Sequence, residues 1–165
     1  MTLVIETADL AAADVQALIR LHQSGMLDTS PPEFSFALDL TGLQSPDIEV
    51  FAARIDGALA GVGALKRLGD GTGEVKSMRT DPAFLRRGVG AALLEHVIAR
   101  ARRLGLSRLS LETGTGEAFE AATTLYLRRG FVEGAPFADY APSDFNRFFH
   151  LEIGQGPGAA APSPP

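Results

Sequence analysis

From Glu74 to Thr113 the chain switches between two hydrophobic periods, and that switch constrains the topology more than any other feature. Glu74 to Thr80 is β-prone and ends before Pro82. Gly88 and Gly90 then straddle Val89 at the start of a helical stripe formed by Leu93, Leu94, Val97, Ile98, Ala101 and Leu104. Arg100, Arg102 and Arg103 fall on the wet side of that stripe. Gly105 stands where a helix closes in a left-handed residue, with Leu106 as its apolar follower. Arg108 to Thr113 resumes a strand pattern. Strand, helix, strand in this order is a right-handed crossover between parallel strands.

The rest of the chain is read around this unit. Leu3 to Glu6 is a short strand, with Thr7 and Asp9 as candidate caps. A helix is expected over about Leu10 to His22, where Val15, Leu18, Ile19 and His22 recur at helical spacing. It should break at Ser24, and Pro31 and Pro32 bar its continuation. Phe34 to Leu43 is ambiguous, a short second helix being one reading. Glu49 to Ile55 and Ala58 to Leu68 form a hairpin about Asp56-Gly57, and the turn Gly69-Asp70-Gly71-Thr72-Gly73 adds Glu74 to Thr80 as a third strand. Another helix runs from about Glu117 to Arg129 and ends at Gly130-Phe131. Phe131 to Glu133 and Asn146 to Ile153 are the last strands. The expected fold class is α/β (α+β mixed), a mixed sheet with helices on both faces. Residues 1–153 are expected to make a single domain, followed by a disordered Gly/Pro/Ala tail over 154–165.

Composition narrows the function. The 165 residues carry a formal charge of −5, which disfavours a nucleic-acid partner. There is no cysteine, so disulfides, thiolate metal sites and a cysteine nucleophile are excluded. His22, His96 and His150 are far apart, read as surface or packing side chains, and no metal is expected. No apolar run approaches the roughly 18 residues of a membrane span, and the opening MTLVIETADL lacks the pattern of a signal peptide. A cytoplasmic protein without membrane association is therefore expected.

The glycine pair carries the chemistry. Small residues at the first turn of a helix let a ligand approach the backbone, and the unpaired amides and helix dipole favour an anion. Arg86 and Arg87 stand beside this point, which makes a pyrophosphate the natural guest. The third glycine of a dinucleotide fingerprint is missing, as is the Gly-Lys-Ser/Thr of a phosphate-binding loop.

Met78-Arg79-Thr80-Asp81-Pro82 followed by Arg87-Gly88-Val89-Gly90-Ala91-Ala92-Leu93-Leu94 resembles the acetyl-CoA motif of the GNAT N-acetyltransferase superfamily. Ala122 to Phe131 is similar to that superfamily's helix–Tyr–Gly–Phe signature, and Lys76 to Arg79, Leu111 to Gly114 and Pro136 to Tyr140 look like a YsnE-like bacterial branch. Two positions depart from the pattern: Leu85 stands where Gln or Arg is usual, and Phe119 replaces a frequent Asn. The resemblance implies a mostly antiparallel twisted sheet splayed between its fourth and fifth strands, with the pantetheine arm of acetyl-CoA in the gap. It implies a cofactor site made by Met78, Arg79 and Thr80 with Arg86, Arg87, Gly88, Val89, Gly90 and Ala91, the Met78 N–H polarising the thioester carbonyl.

The implied reaction is direct transfer of the acetyl group to a primary amine of a small molecule or peptide, in a ternary complex and without a metal. By the same resemblance Tyr126 is the general acid, against a plain reading as a core tyrosine. Glu74 is the candidate general base, on a strand where residues 74, 76 and 78 are expected to share one face. The bland alternative is a solvated carboxylate beside a turn. Glu112 is the second candidate base and an acceptor-site residue. Phe137 and Tyr140 on one side, and Phe36 within PPEFSF on the other, are expected to wall the acceptor site. Dimerisation is common in the superfamily, so a homodimer is one assembly the resemblance allows. A CoA-binding sensor or regulatory module of the same fold is the rival function.

Overall fold

The structure, a computed structural model, describes residues 2–29 and 40–154. Among these, seven strands form one sheet in the order β1-β2-β3-β4-β5-β7-β6. They are β1 (Leu3–Thr7), β2 (Ile48–Ile55), β3 (Ala58–Arg67), β4 (Thr72–Thr80), β5 (Arg108–Gly114), β6 (Val132–Glu133) and β7 (Asn146–Glu152). The helices are α1 (Ala13–Thr29), α2 (Leu40–Leu43), α3 (Val89–Arg103) and α4 (Glu120–Arg129), with a 3-10 turn over Glu117–Phe119 leading into α4. Neighbouring strands are antiparallel except β4 and β5, the pair joined by the expected crossover.

Strand parity sorts the core into two layers. Phe51, Ala53, Leu65, Val75, Leu109, Leu111 and Phe149 point to the side where α3 delivers Leu93, Leu94, Val97 and Ile98. Val50 and Ala64 point the other way, onto Val15 and Ile19 of α1 and Leu43 of α2. Each fully buried aliphatic of this kind contributes about 1.5–3 kcal/mol. Gly61 lets α3 settle close to β3, since a Cβ there would stand 2.7 Å from Val89 Cγ1, and Gly63 makes room for the Met78 side chain, whose Sδ would stand 2.6 Å from a Cβ. Both long helices of this layer end as the sequence predicts. Leu106 N–H donates to Ala101 O and Gly105 N–H to Arg102 O, and Phe131 and Gly130 repeat the pair on Tyr126 and Leu127.

The sheet forks between β4 and β5. Their parallel ladder covers Thr72–Glu74 against Arg108–Ser110 and stops there. Beyond it β4 stays on β3 and β5 stays on β7. A second irregularity was not legible in the sequence. Val62 pairs with Arg79 but Ala64 pairs with Lys76, so Ser77 and Met78 together oppose Gly63. Ser77 takes φ +56°, the left-handed bend of a β-bulge. The bulge overturns the expectation that residues 74, 76 and 78 share a face. Glu74, Lys76 and Arg79 lie on the α1 side with Ala64 and Val62, whereas Val75, Met78 and Thr80 lie on the α3 side.

The other correction concerns α1, which neither starts at Leu10 nor breaks at Ser24. Asp9 folds Ala11 and Ala12 into a turn first, its carboxylate accepting from Ala11 N–H and its carbonyl from Ala12 N–H. No strong breaker follows until Pro31, so the helix outruns its apolar stripe to Thr29. Phe36 and the rest of the Pro31-to-Phe36 segment, and residues 155–165 of the tail, lie outside the described residues.

Candidate active site

The α3 amino end presents unpaired backbone amides. The first helical bond runs from Ala92 N–H to Gly88 O, which leaves the amides of Val89, Gly90 and Ala91 without a partner inside the helix. No side chain caps them. Arg86 (φ +64°) and Gly88 (φ +78°) are both left-handed, so the amides of this turn curve around one point as in an anion-binding nest. Arg86, Arg87 and Gly88 are exposed, and Arg87 stacks over the Phe84 ring at 5.4 Å. Val89 itself is buried in the core and anchors the turn. Beside this turn the β4–β5 ladder stops, so Met78 and Thr80 face the open part of the fork.

Tyr126 joins Met78 in the α3-side cluster, its ring 5.7 Å from that of Phe131. Burial pushes its phenol well above the ordinary tyrosine range, so it keeps its proton at every physiological pH.

The α1 side of the fork is polar. Glu74 is 3% exposed, and its Oε2 accepts from Tyr140 Oη at 2.6 Å and from Lys76 Nζ at 3.2 Å. Lys76 Nζ also donates to Tyr140 Oη at 2.8 Å. The β6–β7 loop is thereby tied to β4. Across the fork stands Glu112, whose carboxyl is pushed up to about 7 by burial and by the nearby Glu74, against the opposing pull of Lys76 and a hydrogen bond from Asn146. Asn146 in turn accepts from Ser143 N–H and Oγ and donates to Ala141 O, bracing the loop from inside. Phe137, Tyr140 and Phe148 form a three-ring wall with centroids 5.1 to 6.0 Å apart. Ser110, paired with Glu74 at the last rung before the fork, hydrogen-bonds His150 Nδ1, and the other ring nitrogen of His150 reaches Ala135 O.

The structure thus brings Glu74, Glu112, Phe137 and Tyr140 together on one face, and Met78, Thr80 and Tyr126 on the other. Lys76, Asn146 and His22 are the neighbours that sequence reasoning gave no role. Lys76 left a signal as the alternate residue beside Glu74, and His22 as a member of the helical stripe of α1. Among the described residues no cluster of three His, Asp or Glu side chains could hold a metal, and no helix is long and apolar enough to cross a membrane.

Comparison with known proteins decides the family: residues 15–131 match the model of the acetyltransferase (GNAT) family. The chain belongs to that family. It is similar to the uncharacterized N-acetyltransferase YedL of Escherichia coli K12, 48% identical over 90% of this chain and 94% of the relative. It is similar too to the uncharacterized N-acetyltransferase YsnE of Bacillus subtilis 168, 45% identical over 82% of this chain and 90% of the relative. YncA from Salmonella typhimurium, solved with its cofactor acetyl-CoA, shares the fold at a TM-score of 0.70 with 23% identity, covering 99% of each chain. This GNAT protein is an acetyl-CoA-dependent N-acetyltransferase.

Proposed function

We propose that the enzyme transfers acetyl directly to the primary amine of a small, cytoplasmic acceptor bound on the α1 side of the fork. Acetyl-CoA supplies the activated acetyl group. Residues 86–91 hold the diphosphate through main-chain amides, with Arg86 and Arg87 adding charge. The backbone of Met78, Arg79 and Thr80 aligns the arm along β4, and the Met78 N–H faces the thioester oxygen.

An alkylammonium with a pKa of about 10 has to lose a proton before it can attack. Of the two carboxylates at the fork, Glu112 suits that task better. Its carboxyl titrates at about 7, close to the working pH where a base is most effective, whereas Glu74 is engaged by both Lys76 and Tyr140. Glu74 then acts by holding Lys76 and the loop in place. Glu112 takes the first ammonium proton and later releases it to solvent. The N–C bond then forms as the C–S bond breaks, Tyr126 gives its proton to the departing sulfur, and the second proton on nitrogen restores the Tyr126 phenol. With no cysteine in the chain, direct attack needs no acyl-enzyme. Phe137, Tyr140 and Phe148 wall the acceptor's body.

The observation that carries this reading is the pairing of an open amide cradle on one side of the fork with a half-buried, raised-pKa carboxyl on the other. Release of CoA thiol from acetyl-CoA across a panel of primary amines tests it. Amine-dependent release is the expected result. Tight CoA binding without release for any amine would identify the sensor alternative instead.

A further inference from the structure

The α1 side of the fork also holds two groups that the acetyl-transfer chemistry leaves unused. Arg79 follows the bulge, pairs with Val62 in the ladder and so projects toward α1. It is half-buried, yet among the described residues no carboxylate lies within ion-pairing distance of it. On α1, close enough for the charges of Arg79 and Lys76 to act on it, is His22, 9% exposed, whose buried Nδ1 has no hydrogen-bond partner among the described residues. Burial, with the adjacent charges of Arg79 and Lys76, holds His22 down to about 4, so at neutral pH its ring is uncharged and one nitrogen carries a proton to donate. Among the described residues the His22 nitrogen is a buried polar atom left without a partner, a costly arrangement that a ligand would relieve, and Arg79 beside it is a cation with no carboxylate in reach.

The charges on this face are ordered. Arg79 and His22 lie beyond the bulge toward the open end of β4, Lys76 is already matched by Glu74, and Glu112 stands across the fork. The arrangement is a cation at one end and a carboxyl at the other. A dianion such as a phosphate monoester would meet repulsion from Glu74 and Glu112. A molecule with its own amine and its own carboxylate complements both ends at once.

Resting on the function proposed above, we infer that Arg79 and His22 form a carboxylate subsite, and that the acceptor is an amino acid whose carboxylate is gripped there while its amine faces Glu112. The planar guanidinium suits a carboxylate in the two-pronged geometry that gives the strongest charge-assisted hydrogen bonds. The bulge at Ser77 is then the device that turns Arg79 to the acceptor side while Met78 stays on the cofactor side.

The test uses the full chain, acetyl-CoA and matched acceptor pairs: α- and ω-amino acids, each beside the amine that lacks only its carboxylate, followed by thiol release. The best amino acid should exceed its decarboxylated partner in kcat/KM by about a hundredfold, with most of the difference in KM. Arg79→Gln should bring that ratio close to one, and His22→Gln should reduce it partway. Wild-type enzyme that uses the carboxylate-free amines equally well overturns the subsite, whether or not Arg79→Gln folds. An undiminished preference in a folded Arg79→Gln protein overturns its location. Absence of thiol release with every member of both sets fails the transferase reading itself, a separate outcome from loss of discrimination.

Discussion

The two faces of the β4–β5 fork are a few ångströms of backbone apart and chemically opposite. Toward α3 and α4 the sheet shows Val75, Met78, Leu109 and Leu111, covered by Tyr126 and Phe131. Toward α1 and the β6–β7 loop it shows Glu74, Lys76, Arg79, Ser110 and Glu112. In the proposed reaction the first face grips the cofactor through backbone amides, and Tyr126 is the one side chain it lends to the chemistry. The second presents side chains, among which burial raises the carboxyl of Glu112 and lowers the imidazole of His22. The proposal thus places the cofactor on one side of the sheet and the acceptor on the other, and the bulge at Ser77 turns consecutive residues of β4 to opposite sides.

Breaking the backbone side should have the largest effect. Gly88→Asp with Gly90→Asp puts two negative charges at the proposed diphosphate site. Like charges at about 4 Å near a surface repel by about 4 kcal/mol, so CoA affinity should fall roughly a thousandfold or more by calorimetry. Gly90→Ala is the control. Its Cβ would meet Leu125 Cδ2 at 3.3 Å, a contact the leucine can relieve, and binding should persist.

The polar side answers a different perturbation. Glu74 and Lys76 are 3% and 9% exposed at the side chain, so Lys76→Met strands a buried carboxylate. Denaturant unfolding should show a loss of about 3–5 kcal/mol. Adding Glu74→Gln should return a large part of it, because the stranded charge is gone. A full loss in the double variant would mean that packing, not the ion pair, holds this face together.

The smallest effect belongs to the loop tie. Tyr140→Phe removes the phenol that donates to Glu74 and accepts from Lys76. It should cost about 1–3 kcal/mol, and it should speed proteolysis of the β6–β7 loop more than of the α3 region. Equal protection of the two regions in the variant would show that the aromatic stack alone secures the loop.

The two faces also differed in how far the sequence revealed them. Gly88, Gly90, Gly105 and Gly130 mark backbone events, and a backbone event leaves a residue-type trace whatever packs around it. The crossover and both helix ends could therefore be read before the structure. The fork followed from the resemblance carried by the residues around those glycines. The polar face depends on partners distant in the chain. Tyr140 and Glu74 are 66 residues apart, and His22 meets Arg79 only once α1 lies on β4. The bulge had no signature either: Ser77 is no glycine, yet takes φ +56°, and one extra residue there reversed the facing of everything after it. Glu112 was legible as a candidate, but burial and its neighbours set its titration.

The central claim is that Glu112 takes the acceptor's proton, and the pH profile of transfer tests it most directly. With an acceptor whose amine titrates well above neutrality, wild-type kcat/KM should carry an inflection near pH 7, rising as Glu112 loses its proton. Glu112→Gln should erase that inflection and lower the rate above it by about 10²-fold or more. An unchanged inflection in a folded Glu112→Gln enzyme would assign the proton transfer to another group and contradict the account.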